Sequence, residues 1–322
     1  MKYVRFGPLK YFLVAFISLL LLSCSNSNEK LTIASHVWPG YEFMFLARNL
    51  GHLDSKLVSL KETNSASETI LLLKQGKIDG GALTFDEVIR ARNEGIELVV
   101  VLVFDVSAGA DVVVAKPEIT QLEQLLGKTI VLEVGSVGSI MLDQLLKKAN
   151  LAQDQVKLMT ATIDQHLDYW KQGLADAVIS YEPVSGKIMD LGGKTIFSSQ
   201  QAPNLIVDVL AIKKASLYKT DAIKHLIESH FLGQSHYNSH HQDALYRMAP
   251  RLDLPALEVD SVFKGILLPD YQNNLRLLSG KNPELLKSEM QLREILQMQN
   301  PTQADPVSDR IIDDSFLVKI KP

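Results

Sequence analysis

The residues best suited to handling a small ligand fall in five short stretches, each just past an apolar run of strand length. They are His36-Val-Trp-Pro-Gly-Tyr41, Leu83-Thr84, Asp105-Val-Ser-Ala-Gly109, Gly135-Ser-Val-Gly-Ser139 and Ser180-Tyr-Glu182. Open α/β sheets bind ligands beyond the carboxyl ends of their strands, where loops and helix N-termini converge, so these stretches are the expected contacts. Trp38 and Tyr41 suit an aromatic wall, although core packing or a helix staple would use them equally well. Thr84 suits an N-cap as readily as a ligand contact. Ser136, Gly138 and Ser139 expose backbone donors at the start of a helix, a seat for an anion, with simple capping as the alternative. Glu182, with Asp105 second, would face that seat with a carboxylate; Glu182 could instead cap the helix that Pro183 opens. Ser107, Gly109 and Tyr181 complete the candidate set. The ligand expected from these opposed features is small, with an anionic end and a cationic or amino end.

Other chemistries have weaker anchors. Gly135-Ser-Val-Gly lacks the Gly-Lys-Ser/Thr ending of a nucleotide P-loop. His236, His240 and His241 include an i, i+4 pair without a cysteine or clear carboxylate to complete a metal set, so a solvated helix face is expected. No nucleophile-elbow motif accompanies a Ser/His/Asp grouping. The expectation is a binding protein without catalysis, cofactor or metal.

Alternating elements must position these residues. The 322-residue chain, 46% hydrophobic and 22% charged, has ordinary globular composition and room for two lobes. Strands are expected at Leu31–Ser35, Leu57–Lys61, Ile78–Leu83 and Leu98–Phe104, with helices at Tyr41–Leu50, Thr69–Lys74 and after Thr84, closed by Gly51, Gly76 and Gly95. Ser65…Glu68 and Thr84…Glu87 have capping-box spacing. Units of this kind predict a mostly parallel sheet covered by helices. Ser107–Ala110 then lets the chain leave one sheet, and Asp111–Ala115 enters another. A second block follows: strands at Thr129–Glu133, Gln155–Thr160 and Asp176–Ser180, with helices at Thr120–Leu126, from Gly135 through Lys148, at Thr162–Gln172 and from Pro183. A strand at Ile206–Lys213 should recross to the first lobe, followed by supporting helices at Lys219–Tyr237, Gln242–Met248, Glu258–Phe263 and Glu284–Met298. The expected organisation is a first lobe over 31–110, a second over 111–205 and a return to the first over 206–322.

The N-terminus has a separate role. Lys2, Arg5 and Lys10 precede the apolar run Tyr11–Leu22, which is too short for a comfortable membrane span and reads as a signal peptide over 1–23. Cys24, the only cysteine, follows Leu-Leu-Ser and resembles the lipidated cysteine of a bacterial lipobox. Residues 24–30 would be a polar, disordered tether to a membrane. Without the three basic signal residues the chain keeps 30 Lys and Arg against 37 Asp and Glu, no footprint for nucleic acid.

Trp38-Pro-Gly-Tyr41, Gly76-Lys-Ile-Asp79, Asp105-Val-Ser-Ala-Gly-Ala-Asp111, Leu122-Glu-Gln-Leu-Leu-Gly-Lys-Thr-Ile130, Gly173-Leu-Ala-Asp-Ala-Val178 and Tyr181-Glu-Pro183, in that order, resemble the solute-binding components of nitrate, sulfonate and taurine ABC importers. That group also contains binders of thiamine-pyrimidine precursors. The resemblance covers Leu31 to Lys213 and implies a type II periplasmic-binding-protein fold: two α/β lobes, a ligand cleft and two hinge crossovers. It further implies a monomer that hands a sulfonate-like, taurine-like or pyrimidine-precursor-like solute to a membrane permease, from the periplasm or cell surface. The alternatives are a lipoprotein that signals to a receptor kinase and, remotely, a pyrimidine synthase, whose cysteine-containing motif is absent here.

Overall fold

The computed structural model describes residues 29–299 and 310–317. The signal peptide and Cys24 lie outside them. Glu29 and Lys30, the end of the expected tether, are exposed, but each meets the start of the long C-terminal helix. Tyr218 donates to the Glu29 carboxylate, and Lys219 Nζ to the Lys30 carbonyl at 3.0 Å. Among the described residues no helix is long and apolar enough to cross a membrane.

The chain builds two mixed sheets. The first contains β1 (Leu31–Ser35), β2 (Val58–Glu62), β3 (Gly80–Thr84), β4 (Leu98–Ser107), β10 (Val207–Lys213) and β11 (Ile266–Leu267), in the order β11-β4-β10-β3-β1-β2. The second contains β5 (Asp111–Ala115), β6 (Thr129–Leu132), β7 (Lys157–Thr160), β8 (Ala177–Tyr181) and β9 (Lys194–Ser198), in the order β7-β6-β8-β5-β9. The expectation of mostly parallel sheets is corrected. β1 and β6 pair in parallel with both their neighbours, but β10 runs against β3 and β4, β11 against β4, and β5 against β8 and β9. The physical reason is the crossing itself: β10 enters the first sheet from the second, and β5 enters the second from the first, each opposite in direction to its hosts.

Helices α1 (Glu42–Asn49), α2 (Ala66–Lys74), α3 (Phe85–Asn93), α4 (Val137–Ala149), α5 (His166–Lys171) and α6 (Val184–Asp190) connect the strands. Glycines at 51, 76, 95, 173 and 192 all adopt positive φ, the left-handed conformation that stops a helix at low cost to glycine. Ser65 accepts from the Glu68 amide at the start of α2, and the Thr84 amide donates to Glu87 at the start of α3. Pro183 precedes α6 as its cap residue rather than opening its first turn, and the expected helix at Thr120–Leu126 is a short 3₁₀ turn over Leu122–Leu125.

The C-terminal part is helical: α7 (Thr220–Ser239), α8 (His241–Leu252), α9 (Tyr271–Leu278) and α10 (Leu285–Gln299), with a 3₁₀ segment at Val259–Phe263. Phe43 and Leu46 of α1 share a buried cluster with Ala244, Met248 and Leu252 of α8. Residues 311–313 hydrogen-bond to Val100 through its amide (2.8 Å) and carbonyl (2.9 Å), covering part of the β4 edge, where unpaired backbone would invite association.

Two of the family-like motifs prove to be matching structural clamps. Asp79 accepts from the Thr32 amide (2.8 Å), Ser216 Oγ (2.8 Å) and Lys219 Nζ (2.9 Å). Asp176 accepts from the Thr129 amide (2.9 Å) and Lys116 Nζ (2.8 Å). Each aspartate thus fixes the start of the first parallel strand in its own sheet, at the same sequence separation of 47. Burial is the largest single influence and pushes both carboxyls up, but the hydrogen bonds and lysine charges together outweigh it and hold both below their ordinary pKa. Their stabilisation is therefore present above the unfolded value near 4 and fades as pH falls through the folded one. We expect Asp79→Ala to cost about 1.5–3 kcal/mol, since it strands a buried ammonium, a hydroxyl and an amide. Asp176→Ala should cost less, because its lysine is better hydrated. Urea denaturation of both variants checks the order, and equal losses would contradict it.

Candidate functional site

The two sheets face each other with the ends of β1, β3, β4 and β10 on one side and those of β5, β6 and β8 on the other. Register explains which side chains meet there. Asp208 on β10 lies opposite Thr84 on β3 and opposite Asp105 on β4, so one row across the first sheet carries two carboxylates. In the second sheet Asp111 lies opposite Tyr181. The space between these rows is lined by His36, Trp38, Thr84, Glu87, Asp111, Val137, Tyr181 and Asp208. It is nearly closed: about 10 Å³ is open to the centre of a water-sized sphere, room for about one water.

Aromatic rings close it. Trp38 meets Tyr181 edge-on at 5.3 Å, and His36 meets Tyr181 at 6.0 Å and Tyr41 at 5.4 Å. The Trp38 indole donates to Asp105 Oδ2 at 2.9 Å, and the Tyr41 hydroxyl donates to Asp208. Gly40 allows this arrangement, because a Cβ there would lie 1.7 Å from Asp105 Oδ2. Thr84 Oγ1 donates to Asp86 at 2.7 Å. Further ties join the two sides: the Ser67 amide donates to Glu133 Oε1 at 3.0 Å, and Lys187 pairs with Asp253 at 2.7 Å.

Electrostatically the site is an acid cluster shut away from water. Burial pushes Asp105 and Asp111 up to about 7. It carries Glu87 and Asp208 well above the ordinary carboxylate range, helped by Asp86 beside Glu87 and by Asp105 beside Asp208. Burial, with Arg251 nearby, lowers His36 to about 3, so its ring is neutral. Four buried polar atoms here lack a partner: His36 Nδ1, Asp105 Oδ1, Asp111 Oδ2 and Glu133 Oε2.

Trp38, Thr84 and Tyr181 line this cavity, and Tyr41 and Asp105 stand directly behind it through the bonds above. The remaining candidates sit elsewhere. Ser107 Oγ bonds Ser199 Oγ at 2.7 Å, and the Gly109 amide donates to the same oxygen at 2.7 Å, so the two passages between the sheets are tied together. Glu182 and Gly109 line a separate groove with Lys187 and Lys264. There Glu182 accepts from the Gly186 amide at 3.2 Å, as a capping side chain would. Ser139 accepts from the Gly135 amide (2.9 Å) and lines an outer groove beside Gln299. A Cβ on Gly138 would lie 2.8 Å from the Glu133 carbonyl, so that glycine serves close packing. Ser136 is the buried cap residue of α4, without a side-chain capping bond. The helix start does reach the cavity through Val137, where it faces the chain's own carboxylates.

Sequence reasoning placed His36 in an expected stretch without giving it a role, and missed Glu87, Asp111 and Asp208 as site residues. The one legible signal was Asp208, a lone acid inside the apolar strand Val207–Ile212. The histidines of α7 and α8 do have carboxylates beside them, His236 with Asp243 at 2.8 Å and His241 with Asp260 at 3.1 Å. Among the described residues no group of three or more His, Cys, Asp or Glu is placed to hold a metal.

The fold is that of the type II periplasmic binding proteins. The periplasmic aliphatic sulphonate binding protein SsuA from Escherichia coli superposes with a TM-score of 0.70 at 18% identity, covering 88% of this chain and 96% of that one. The alkanesulfonate-binding protein SsuA from Xanthomonas axonopodis pv. citri, bound to MOPS, gives 0.72 at 13%, covering 85% and 94%. The desulfurization enzyme DSZB gives 0.61 at 14%, covering 89% and 98%. No curated protein matches the sequence. The profile of the family described as NMT1/THI5 like matches residues 42–227, more than half of the chain, and the protein belongs to that family.

Proposed function

We propose that the protein is an extracytoplasmic solute-binding component that captures a small molecule between its two lobes and delivers it to an ABC import permease, without chemistry of its own. The observation that carries this is the closed cavity at the strand ends of two sheets, lined by aromatic rings and by buried polar atoms with no partner inside the protein. Unsatisfied buried groups are costly unless something supplies their bonds. A ligand admitted by opening the cavity would supply them. The solute-binding proteins among the matched structures support the same reading. The lobes would move about the passages at 108–110 and 199–206, which Ser199 ties together.

A solute that prefers the closed arrangement shifts the population toward it. Small-angle scattering of the full chain, with and without a solute that raises its melting temperature, should show a smaller radius of gyration in the bound form. An unchanged radius with a saturating solute would contradict closure. The proposal includes attachment through a lipid on Cys24, and fractionation of Cys24→Ala is its check: the variant should leave the membrane pellet.

A further inference from the structure

The cavity between the sheets carries more acid than its own donors can serve. Glu87, Asp111 and Asp208 line it, and Asp105 adjoins Asp208 across the β4–β10 register. The Trp38 indole, the Tyr41 hydroxyl and the Thr84 amide each satisfy one carboxylate. Asp111 Oδ2 and His36 Nδ1 line the same space, are buried, and have no partner. No lysine or arginine lines it. Arg251, the guanidinium nearest His36, is already engaged by Glu42 and by the Ser35 and His36 carbonyls at 3.3 and 3.0 Å.

We infer, on the reading of this cleft as the solute site, that the ligand is a small organic cation, an amine or amidine, and that the carboxylates receiving it release protons as it binds. An anion such as a sulfonate would meet acids and no cation. A bare metal ion would lack a converging ligand set. A planar or compact organic cation would find both charge partners and the faces of Trp38, Tyr181 and His36, as cation–π recognition requires. The helix start at Val137 offers no free seat for an anion, since Glu87 and Asp111 already share its cavity.

The proton balance follows from what faces each acid. Burial raises Asp111, Glu87 and Asp208 first of all; Asp86 from α3 adds to it at Asp111 and Glu87, Glu133 from beyond β6 at Glu87, and Asp105, Asp111 and Glu87 at Asp208. The Tyr181 hydroxyl stays neutral among the same charges. In the free protein these acids therefore hold protons near neutrality. When a ligand N–H⁺ donates to one of them, that carboxyl's proton passes to the buffer. Affinity should rise with pH across the range around 7, by up to about tenfold per unit for each proton released.

The test is a melting-temperature screen of the full chain at pH 6 and pH 8 with agmatine, putrescine and benzamidine against taurine, ethanesulfonate and nitrate, followed by calorimetry in phosphate and in HEPES. The expected result is stabilisation by at least one of these cations, tenfold or more tighter at pH 8. Its binding heat should differ between buffers by the released proton. Asp111→Asn should weaken binding at least tenfold and reduce the proton release, while the free variant melts no lower than the parent. Stabilisation by a sulfonate or nitrate, with the cations inert, overturns the cation and leaves solute capture standing. Cation binding with equal heats in both buffers and no pH dependence overturns the proton release. A screen in which none of the cations shifts the melting temperature also overturns the inference, while solute capture is judged separately by the scattering experiment.

Discussion

Asp208→Asn should make the ligand-free protein more stable at pH 8.5, and by a smaller margin at pH 5. Asp208 is 3% exposed, lies across from Asp105 and accepts from the Tyr41 hydroxyl. Burial and the Asp105 charge hold its carboxyl far above the unfolded value near 4. Between those two values the folded chain keeps a proton that the unfolded chain has released, so stability falls as pH rises, by about 1.4 kcal/mol per unit for each such proton. Asparagine keeps the acceptor for Tyr41 and removes the titration. At pH 5 the folded parent is protonated there and the unfolded chain has only begun to gain from ionising that carboxyl, so the margin is smaller.

The same reasoning fixes the shape of the parent's stability profile. Asp105 and Asp111 add to the downward slope up to about 7, and Glu87 and Asp208 continue it above. The opposite slope operates below about 6.5, where unfolded histidines gain protons. Buried His36, His166 and His230 refuse them until about 3, 4 and 3, because burial disfavours the charged ring. With Glu42 also raised to about 7 by burial, five acids outweigh three histidines, so stability is expected to fall from pH 5 to pH 9, less steeply in Asp208→Asn. Chemical denaturation at intervals from pH 5 to 9 measures this. A variant less stable than the parent at pH 8.5, or an unchanged alkaline slope, would show that Asp208 is ionised and satisfied in the free protein.

Much of the scaffold was legible because its punctuation is local. Helix-stopping glycines and the Ser65 and Thr84 caps announce their elements within a few residues. The passage from β4 into β5 was legible because small residues separate two β-branched runs. β9 was not, since Lys194-Thr-Ile-Phe-Ser198 is a short, half-exposed edge strand with a polar start. β11 has two residues, and the segment at 311–313 gains its place only from β4. The direction of β10 was equally hidden, because strand direction is set by where the chain arrives from. In the site, aromatic residues on loops stood out individually. The acids did not: Glu87 reads as a cap, Asp111 as the start of a strand and Asp208 as an oddity within one. Only the register that sets Thr84, Asp208 and Asp105 in one row reveals them as one cluster.

Trp38 offers the largest expected change on solute binding, because it is part of the cavity wall. The chain has two tryptophans. The other, Trp170, is half-buried on α5 in the second lobe's own cluster, and Trp170→Phe keeps a ring there at modest cost. In that variant all tryptophan emission comes from an indole that donates to Asp105 at 2.9 Å and touches Tyr181. A solute seated among His36, Asp111 and Tyr181 must separate or replace those contacts. Titration of the Trp170→Phe protein with a solute that raises its melting temperature should therefore change the Trp38 emission, saturating at the dissociation constant that calorimetry gives. A solute bound by calorimetry that leaves Trp38 emission untouched would place the binding site outside this cavity and contradict the account.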